Sequence, residues 1–157
     1  MSDPQTRVKS AEKIPVEGVR ARLLKVWLIG SAVPFGILVT QSILGRYLDK
    51  ATRASQLMEV WSWFVPTVAP TLSLMIGVCG AGAMSKQSGQ KVRSTFYEIT
   101  LWLSIGFLTV VSGTILLEPL SPYRGVELFS VANFWISPFQ ALVVAALGFL
   151  FSAVEQK

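Results

Sequence analysis

The residues best placed to do chemistry lie in one apolar run, VWSWFVPTVAPTLSLMIGV, which spans residues 60–78. Pro66 and Pro70 stand about one turn apart in this run, and they are followed directly by Thr67 and Thr71. A proline inside a helix removes one backbone donor and pushes away the carbonyl four residues earlier. Neighbouring threonine hydroxyls can hydrogen-bond such freed carbonyls. We therefore expect a kinked helix, and these four residues are a candidate functional region that shapes an interface or a pore.

Two uncharged amides, Asn133 and Gln140, lie in another apolar run and are the candidate buried polar residues. An amide placed among apolar groups needs a hydrogen-bond partner, and in membranes such bonds join neighbouring helices. We expect Gln140 to bond across helices in this way. The alternative is that Gln140 lines a polar pore or a ligand site.

The sequence offers no set of residues for catalysis. It contains no histidine and a single cysteine, Cys79, which excludes histidine-ligated metal sites and a histidine general base. The pair Ser112-Gly113 has no histidine or intramembrane lysine to activate the serine, and no glycine-rich phosphate loop is present. We expect a protein that is not an enzyme, with no catalytic residue, no metal and no cofactor.

The elements that hold these residues are long apolar runs. The chain is 52% hydrophobic and only 15% charged, against about 25% charged in an ordinary soluble domain. Each of four runs reaches the roughly 20 residues needed to cross a bilayer: residues 24–45, 60–85, 96–117 and 129–154. The sequence therefore predicts an all-α integral membrane protein, a bundle of four transmembrane helices over residues 21–157, after a flexible, polar and basic N-terminal segment over residues 1–20. A helix starting near Gly18 is expected to run straight into the first span.

The distribution of lysine and arginine predicts the orientation. Ten of the 14 basic residues lie at or before Lys25, in the loop between spans two and three, or at the C-terminus; four lie in the other loops. Under the positive-inside rule both termini are cytoplasmic, in the plasma (inner) membrane. The basic N-terminal segment is expected to contact anionic lipid headgroups. Nucleic acid is not an expected partner, because the basic residues lack interleaved aromatics.

Small residues recur at four-residue spacing on three of the spans, and such stripes let helix backbones approach closely. We call them the small-residue stripes; their residues are Ala32 and Gly36 (continued by Thr40), Ser73, Gly77 and Ala81, and Ser137, Ala141 and Ala145. The favoured interpretation is packing within one protomer, and the alternative is self-association.

Tryptophans near the span ends are typical of the aromatic belts found at membrane–water interfaces. The candidate interfacial anchors, in contact with membrane lipids, are Trp27, Trp61, Trp63 and Trp135.

These features favour a small non-catalytic membrane protein that acts as an assembly or interaction subunit, either oligomeric or part of a larger membrane complex. Its partners would be copies of itself or other membrane proteins. One alternative is a pore-forming or channel-like oligomer in which span two lines the path. A weaker alternative is a carrier of a neutral or lipidic solute.

Overall fold

The computed structural model describes residues 13–44, 53–84, 91–122 and 125–152. The elements in chain order are β1 (Lys13–Pro15), α1 (Val16–Ile43), α2 (Arg53–Met84), β2 (Lys91–Arg93), α3 (Ser94–Leu117), a 3₁₀ turn (Glu118–Leu120) and α4 (Gly125–Ser152). Within these ranges, four helices are long and apolar enough to cross a membrane. The predicted bundle of four helices is therefore confirmed, and the length and apolar composition of these helices fit a multi-pass membrane protein.

Helix α1 begins well before the first charge-free run. Pro15 precedes it in an extended conformation, with φ −65° and ψ 131°, because the proline ring fixes φ and suits the start of a helix. The helix then continues through the charged residues Arg20 and Lys25 into the apolar run. The expected run of one helix into the first span is confirmed, and its start lies eight residues before the predicted span.

Consecutive helices run antiparallel and form a ring in the order α1, α2, α4, α3, in which each helix packs mainly against its two neighbours. Phe35 of α1 meets Trp61 of α2 at 5.6 Å between ring centroids, while Arg20 lies beside Cys79. Helices that neighbour each other without being consecutive, α1 with α3 and α2 with α4, therefore run parallel.

The centre of the ring is filled by large side chains. Trp27 of α1 packs against Phe107 of α3 with ring centroids 5.8 Å apart, and Phe107 meets Phe139 of α4 edge to face. Aromatic pairs of this kind contribute about 0.5–1.5 kcal/mol beyond their buried area. Other fully buried side chains come from all four helices: Leu23, Leu38, Val60, Met75, Val111, Ile115, Ile136, Val143 and Leu147.

Two short strands that the sequence analysis did not anticipate join the N-terminal segment to the segment before α3. Strands β1 and β2 pair antiparallel, with Ile14 opposite Val92, and we call this pair the ribbon. Ile14 and Val92 pack against the core at one end of the bundle. Three-residue strands are shorter than the alternating runs by which strands are identified from sequence.

The ribbon changes the picture of the N-terminal segment. Residues 13–15 form a strand and residues 16–20 the first turns of α1, whereas the sequence analysis placed residues 1–20 in one flexible segment. The expected flexibility of residues 1–12, and the lipid contacts of their basic side chains, lie outside the described residues.

Candidate functional site

The proline segment of α2 presents two different faces. The helix runs without a break from Arg53 to Met84, and Pro66 and Pro70 are exposed on its outer surface. Thr67 and Thr71 are buried, with 6% and 1% of their surface exposed. The prolines therefore face the surroundings of the bundle, and the two hydroxyls face its interior.

The threonine hydroxyls do not bond the carbonyls that the prolines free. Those carbonyls belong to Ser62 and Pro66, four residues before each proline. The Thr67 hydroxyl instead donates to the carbonyl of Trp63 at 2.6 Å, the usual bond of a helical threonine to the residue four positions earlier. Our expectation that Thr67 and Thr71 satisfy the freed carbonyls is thus wrong for Thr67, and the Thr71 hydroxyl has no partner among the described groups.

Gln140 of α4 reaches the proline segment. Its side-chain Nε2 donates to the carbonyl oxygen of Pro66 at 3.4 Å, and this is the carbonyl for which Pro70 supplies no backbone N–H. The predicted bond across helices is confirmed. Gln140 replaces, from another helix, the hydrogen bond that Pro70 removes.

A second polar contact joins the same two helices closer to the start of α2. The Trp63 indole N–H donates to Asn133 Oδ1 at 2.9 Å, and the Trp63 ring lies 4.6 Å from that of Phe129. Asn133 is itself exposed, although we expected it to be buried. Its amide is nevertheless bonded to a buried group, since only 7% of Trp63 is exposed.

Three buried polar groups in the bundle interior have no hydrogen-bond partner among the described residues. They are Trp27 Nε1, Thr71 Oγ1 and Ser104 Oγ, from three different helices. Nearby hydroxyls bond their own helix: Ser31 donates to the Trp27 carbonyl at 2.5 Å and Thr100 to the Phe96 carbonyl at 2.8 Å. A buried hydroxyl without a partner costs roughly 1–3 kcal/mol, so these groups weaken the packed interior.

The small-residue stripes do not pack within the protomer. Every one of their residues is exposed: Ala32, Gly36, Thr40, Ser73, Gly77, Ala81, Ser137, Ala141 and Ala145. A Cβ added at Gly36 or Gly77 would meet nothing within 4 Å. The favoured interpretation of packing within one protomer is therefore wrong, because α1, α2 and α4 turn other faces inward.

The close helix contacts use two glycines that the sequence analysis missed. A Cβ at Gly30 would lie 2.5 Å from Leu108 Cδ1, and one at Gly106 would lie 3.2 Å from the ring of Phe139. These positions join α1 to α3 and α3 to α4. Neither glycine belongs to a regular four-residue stripe, so no spacing in the sequence marks it.

The four tryptophans predicted to be interfacial anchors differ in how far they are buried. Trp27 was predicted to be an interfacial anchor but is fully buried. The reason is that its side chain lies on the inward face of α1, where it packs against Phe107. Trp63 is also buried, Trp61 is half-buried against Phe35 and Phe64, and Trp135 is exposed.

The described residues contain no group of three or more histidine, cysteine or acidic side chains that could hold a metal ion. Cys79 is a free thiol that faces the carbonyl of Arg20 at 3.8 Å. Three polar contacts join different helices: Gln140 with Pro66, Trp63 with Asn133, and Cys79 with Arg20.

Comparison of the chain with protein-family models, with curated proteins and with solved structures gave no match.

Proposed function

We propose that this chain is a non-catalytic membrane subunit that works by assembly, with copies of itself or with other membrane proteins. The observation that carries the proposal is the outward position of all three small-residue stripes. Helices in lipid associate through close backbone approach at small residues. A stripe that does not serve the protomer's own packing is available to a second helix.

The open space around the exposed glycines supports this proposal. Gly36, Gly77 and Gly148 lie on three different helices, and a Cβ added at any of them would meet no other atom within 4 Å. Elsewhere the outer surface carries large apolar side chains that suit contact with lipid, such as Phe134 and Phe149.

A bend of α2 at Pro66 and Pro70 forms part of the proposal. Two prolines leave two carbonyls without helical donors, which loosens the ladder on the outward face. The bond from Gln140 holds α4 against this segment. In this view the bend sets the angle at which the part of α2 after Pro70, with Ser73 and Gly77, meets a partner helix.

The orientation and the membrane are proposed from charge alone. Ten of the 14 basic residues lie at or before Lys25, between spans two and three, or at the C-terminus, which favours a cytoplasmic location for both termini. Arg22 and Lys25 are exposed on the first turns of α1. There they are placed to meet anionic headgroups of the inner leaflet.

The pore-forming alternative requires several copies. The centre of one bundle is filled by Trp27, Met75 and Phe107, so a path for ions would run between protomers. Of the hydroxyls expected along that path, Thr67 and Thr71 face inward, and Ser73 is exposed on the outer face. The lining would instead be the outer face of α2, which carries Pro66 and Pro70.

The weaker alternative, a carrier of a neutral or lipidic solute, draws on one groove. It has a volume of about 580 Å³, lies between the end of α3 and the start of α4, and is lined mostly by apolar side chains, including Leu117, Leu128 and Trp135. An acyl chain of a membrane lipid fits such a surface. Because the outer surface of a membrane bundle contacts lipid in general, the groove supports lipid contact more directly than transport.

The test is a count of subunits in lipid bilayers by single-molecule photobleaching of a fluorescent fusion. We expect more than one copy per complex, or a co-purifying membrane protein. Gly36→Leu and Gly77→Leu should each weaken association by about tenfold, since loss of a packed contact of 1–2 kcal/mol has that effect. Gly113→Leu is the matched control, because Gly113 also has open space around it but lies outside the stripes.

A wild-type protein that is monomeric in bilayers and brings down no partner would contradict the proposal. Flux measurements on the same proteoliposomes separate the alternatives. Ion conductance that depends on protein oligomers would favour the pore, and its absence alongside stable oligomers favours assembly.

A further inference from the structure

A polar cavity lies between α2 and α4, apart from the small-residue stripes. Its volume is about 220 Å³, and it is lined by Glu59, Ser62, Trp63, Phe129, Ser130 and Asn133. That is several times the roughly 30 Å³ that one water occupies in the liquid. The cavity can therefore hold an organic group of several heavy atoms.

The depth of the cavity places it at a membrane surface. Glu59 follows the start of one membrane-spanning segment at Leu57, and Ser130 and Asn133 lie in the first two turns of the segment that starts at Glu127. Lipid headgroups and dissolved molecules both reach this depth. A charged side chain such as Glu59 remains hydrated there.

Two polar groups of the cavity, from Glu59 and Ser62, are available only as acceptors, and the Ser130 hydroxyl can donate or accept. Glu59 contributes a carboxylate, and no described basic side chain pairs with it. The Ser62 hydroxyl donates its proton to the Glu59 backbone carbonyl at 2.8 Å, so its oxygen is left to accept. The ligand that complements this set is rich in donors and positively charged.

Asn133 supplies the one fixed donor. An indole N–H can only donate, so the bond from Trp63 at 2.9 Å identifies the Asn133 atom facing it as the amide oxygen. The Asn133 NH₂ group then points away from Trp63. This donor suits an oxygen attached to the ligand beside its positive charge.

The remaining walls are aromatic. Trp63 and Phe129 pack with ring centroids 4.6 Å apart and give the cavity an apolar side. Aromatic rings favour organic cations with carbon substituents. Aromatic walls supply no oxygen ligands, whereas a calcium ion takes six to eight of them, and the cavity has one carboxylate.

We propose that this cavity binds the ammonium group of an alkylamine, with Glu59 as its counter-ion and Trp63 and Phe129 against its carbon atoms. The amine comes either from a free organic amine or from the headgroup of an aminophospholipid, which present the same chemistry. The proposal is independent of the assembly proposed above.

The experiment uses the full chain, labelled with ¹⁵N, in detergent micelles. Ethylammonium chloride is added while NMR follows the Trp63 indole N–H and the Asn133 side-chain amide, with sodium chloride at equal ionic strength as the reference. We expect saturable shifts of both signals with ethylammonium only. Shifts that are linear, or equal with sodium chloride, would overturn the proposal.

Two matched variants test whether the negative charge of Glu59 is needed for ethylammonium binding. Glu59→Gln keeps the shape of the cavity and should weaken ethylammonium binding about tenfold, the effect of losing one charge-assisted hydrogen bond at an open site. Glu127 is an exposed carboxylate at the start of α4, near the cavity but not part of its lining. Glu127→Gln should therefore leave ethylammonium binding within about twofold of the wild type. Equal effects of the two variants would reduce the site to general surface charge and refute it.

Measurements in lipid bilayers distinguish a free amine from a lipid headgroup as the ligand. The chain is placed in nanodiscs of phosphatidylglycerol alone or mixed with phosphatidylethanolamine. If the ethanolamine lipid moves the Trp63 signal to its bound position and abolishes the response to ethylammonium, the lipid headgroup is the ligand. If ethylammonium still shifts the Trp63 signal equally in both kinds of nanodisc, the ligand is a free amine. No response in either bilayer contradicts the proposal.

Discussion

The Nε2 atom of Gln140 lies 3.4 Å from the carbonyl oxygen of Pro66, the backbone group that Pro70 deprives of its helical donor. A side chain from α4 thus completes the hydrogen bonding of α2. The contact is long, so its contribution lies at the lower end of the range for bonds between membrane helices, about 0.6 kcal/mol.

A double-mutant cycle tests this relationship. We expect Gln140→Leu to lower the free energy of unfolding in detergent by about 0.6 kcal/mol. Pro70→Ala gives the Pro66 carbonyl a backbone donor within α2, so Gln140→Leu should then cost almost nothing. In a Pro66→Ala background the carbonyl at position 66 still lacks a donor, and the full cost should remain. Equal costs in the two proline backgrounds would show that Gln140 acts through packing alone.

The two kinds of glycine in α1 should respond differently to a methyl group. Gly30→Ala brings the new Cβ against Leu108, a buried side chain that has to change rotamer or shift. We expect a loss of about 1–3 kcal/mol in unfolding free energy. Gly36→Ala meets open space and should leave the same quantity unchanged or raise it by up to about 1 kcal/mol. Unfolding of the isolated protomer in detergent measures both, and the reverse order would contradict the packing of α1 on α3.

Removing a buried hydroxyl that has no partner should stabilise the bundle. Ser104 is fully buried and its Oγ bonds none of the described groups, so Ser104→Ala should raise the unfolding free energy by about 0.5–1 kcal/mol. Thr71→Val, which keeps the shape, should act in the same direction. Thr100→Val is the control, since Thr100 donates to the Phe96 carbonyl, and it should show no gain. A marked loss in Ser104→Ala would mean that the hydroxyl has a partner in the membrane.

The register of the ribbon can be tested by cross-linking. Ile14 and Val92 are direct partners, and opposed residues in an antiparallel pair lie close enough for a disulfide. With Cys79→Ser as background, Ile14→Cys and Val92→Cys should form an intramolecular disulfide under mild oxidation, detected as a loss of about 2 Da by mass spectrometry. Ile14→Cys with Phe96→Cys, a pair outside the ladder, should remain reduced. Cross-linking of both pairs, or of neither, would contradict the register.

The four spans could be predicted from sequence because their physical cause is local. A bilayer requires about 20 residues without charge, and the helices lie where such runs occur. The bond made by Gln140 was also predictable, since an amide at that depth must find a partner. The partner itself was not, because nothing in the sequence shows which carbonyl of α2 faces α4.

The inward faces of the helices could not be predicted. In a soluble protein the polar side of a helix shows which face is exposed, but both faces of a membrane helix are apolar. On α1 the small residues Gly30 and Ser31 lie inside, whereas Ala32 and Gly36 lie outside. The four-residue spacing of Ala32 and Gly36 suggested that they pack against another helix, whereas the close contact with Leu108 is made at Gly30. The same ambiguity led to the interfacial assignment of Trp27, which is buried.

The ribbon also imposes an order on biogenesis. Strand β1 leaves the ribosome first, yet its partner β2 lies roughly 80 residues later, beyond two complete spans. At about 5–20 residues per second, β1 waits about 4 to 16 s for β2 to be made. Until then α1 lacks both α3 and the ribbon, which it contacts in the finished bundle, and its first turns carry Val16 and Val19, which are buried there. The nascent chain thus exposes apolar side chains at the start of α1 that are buried in the completed protein, and they become covered once α3 is inserted.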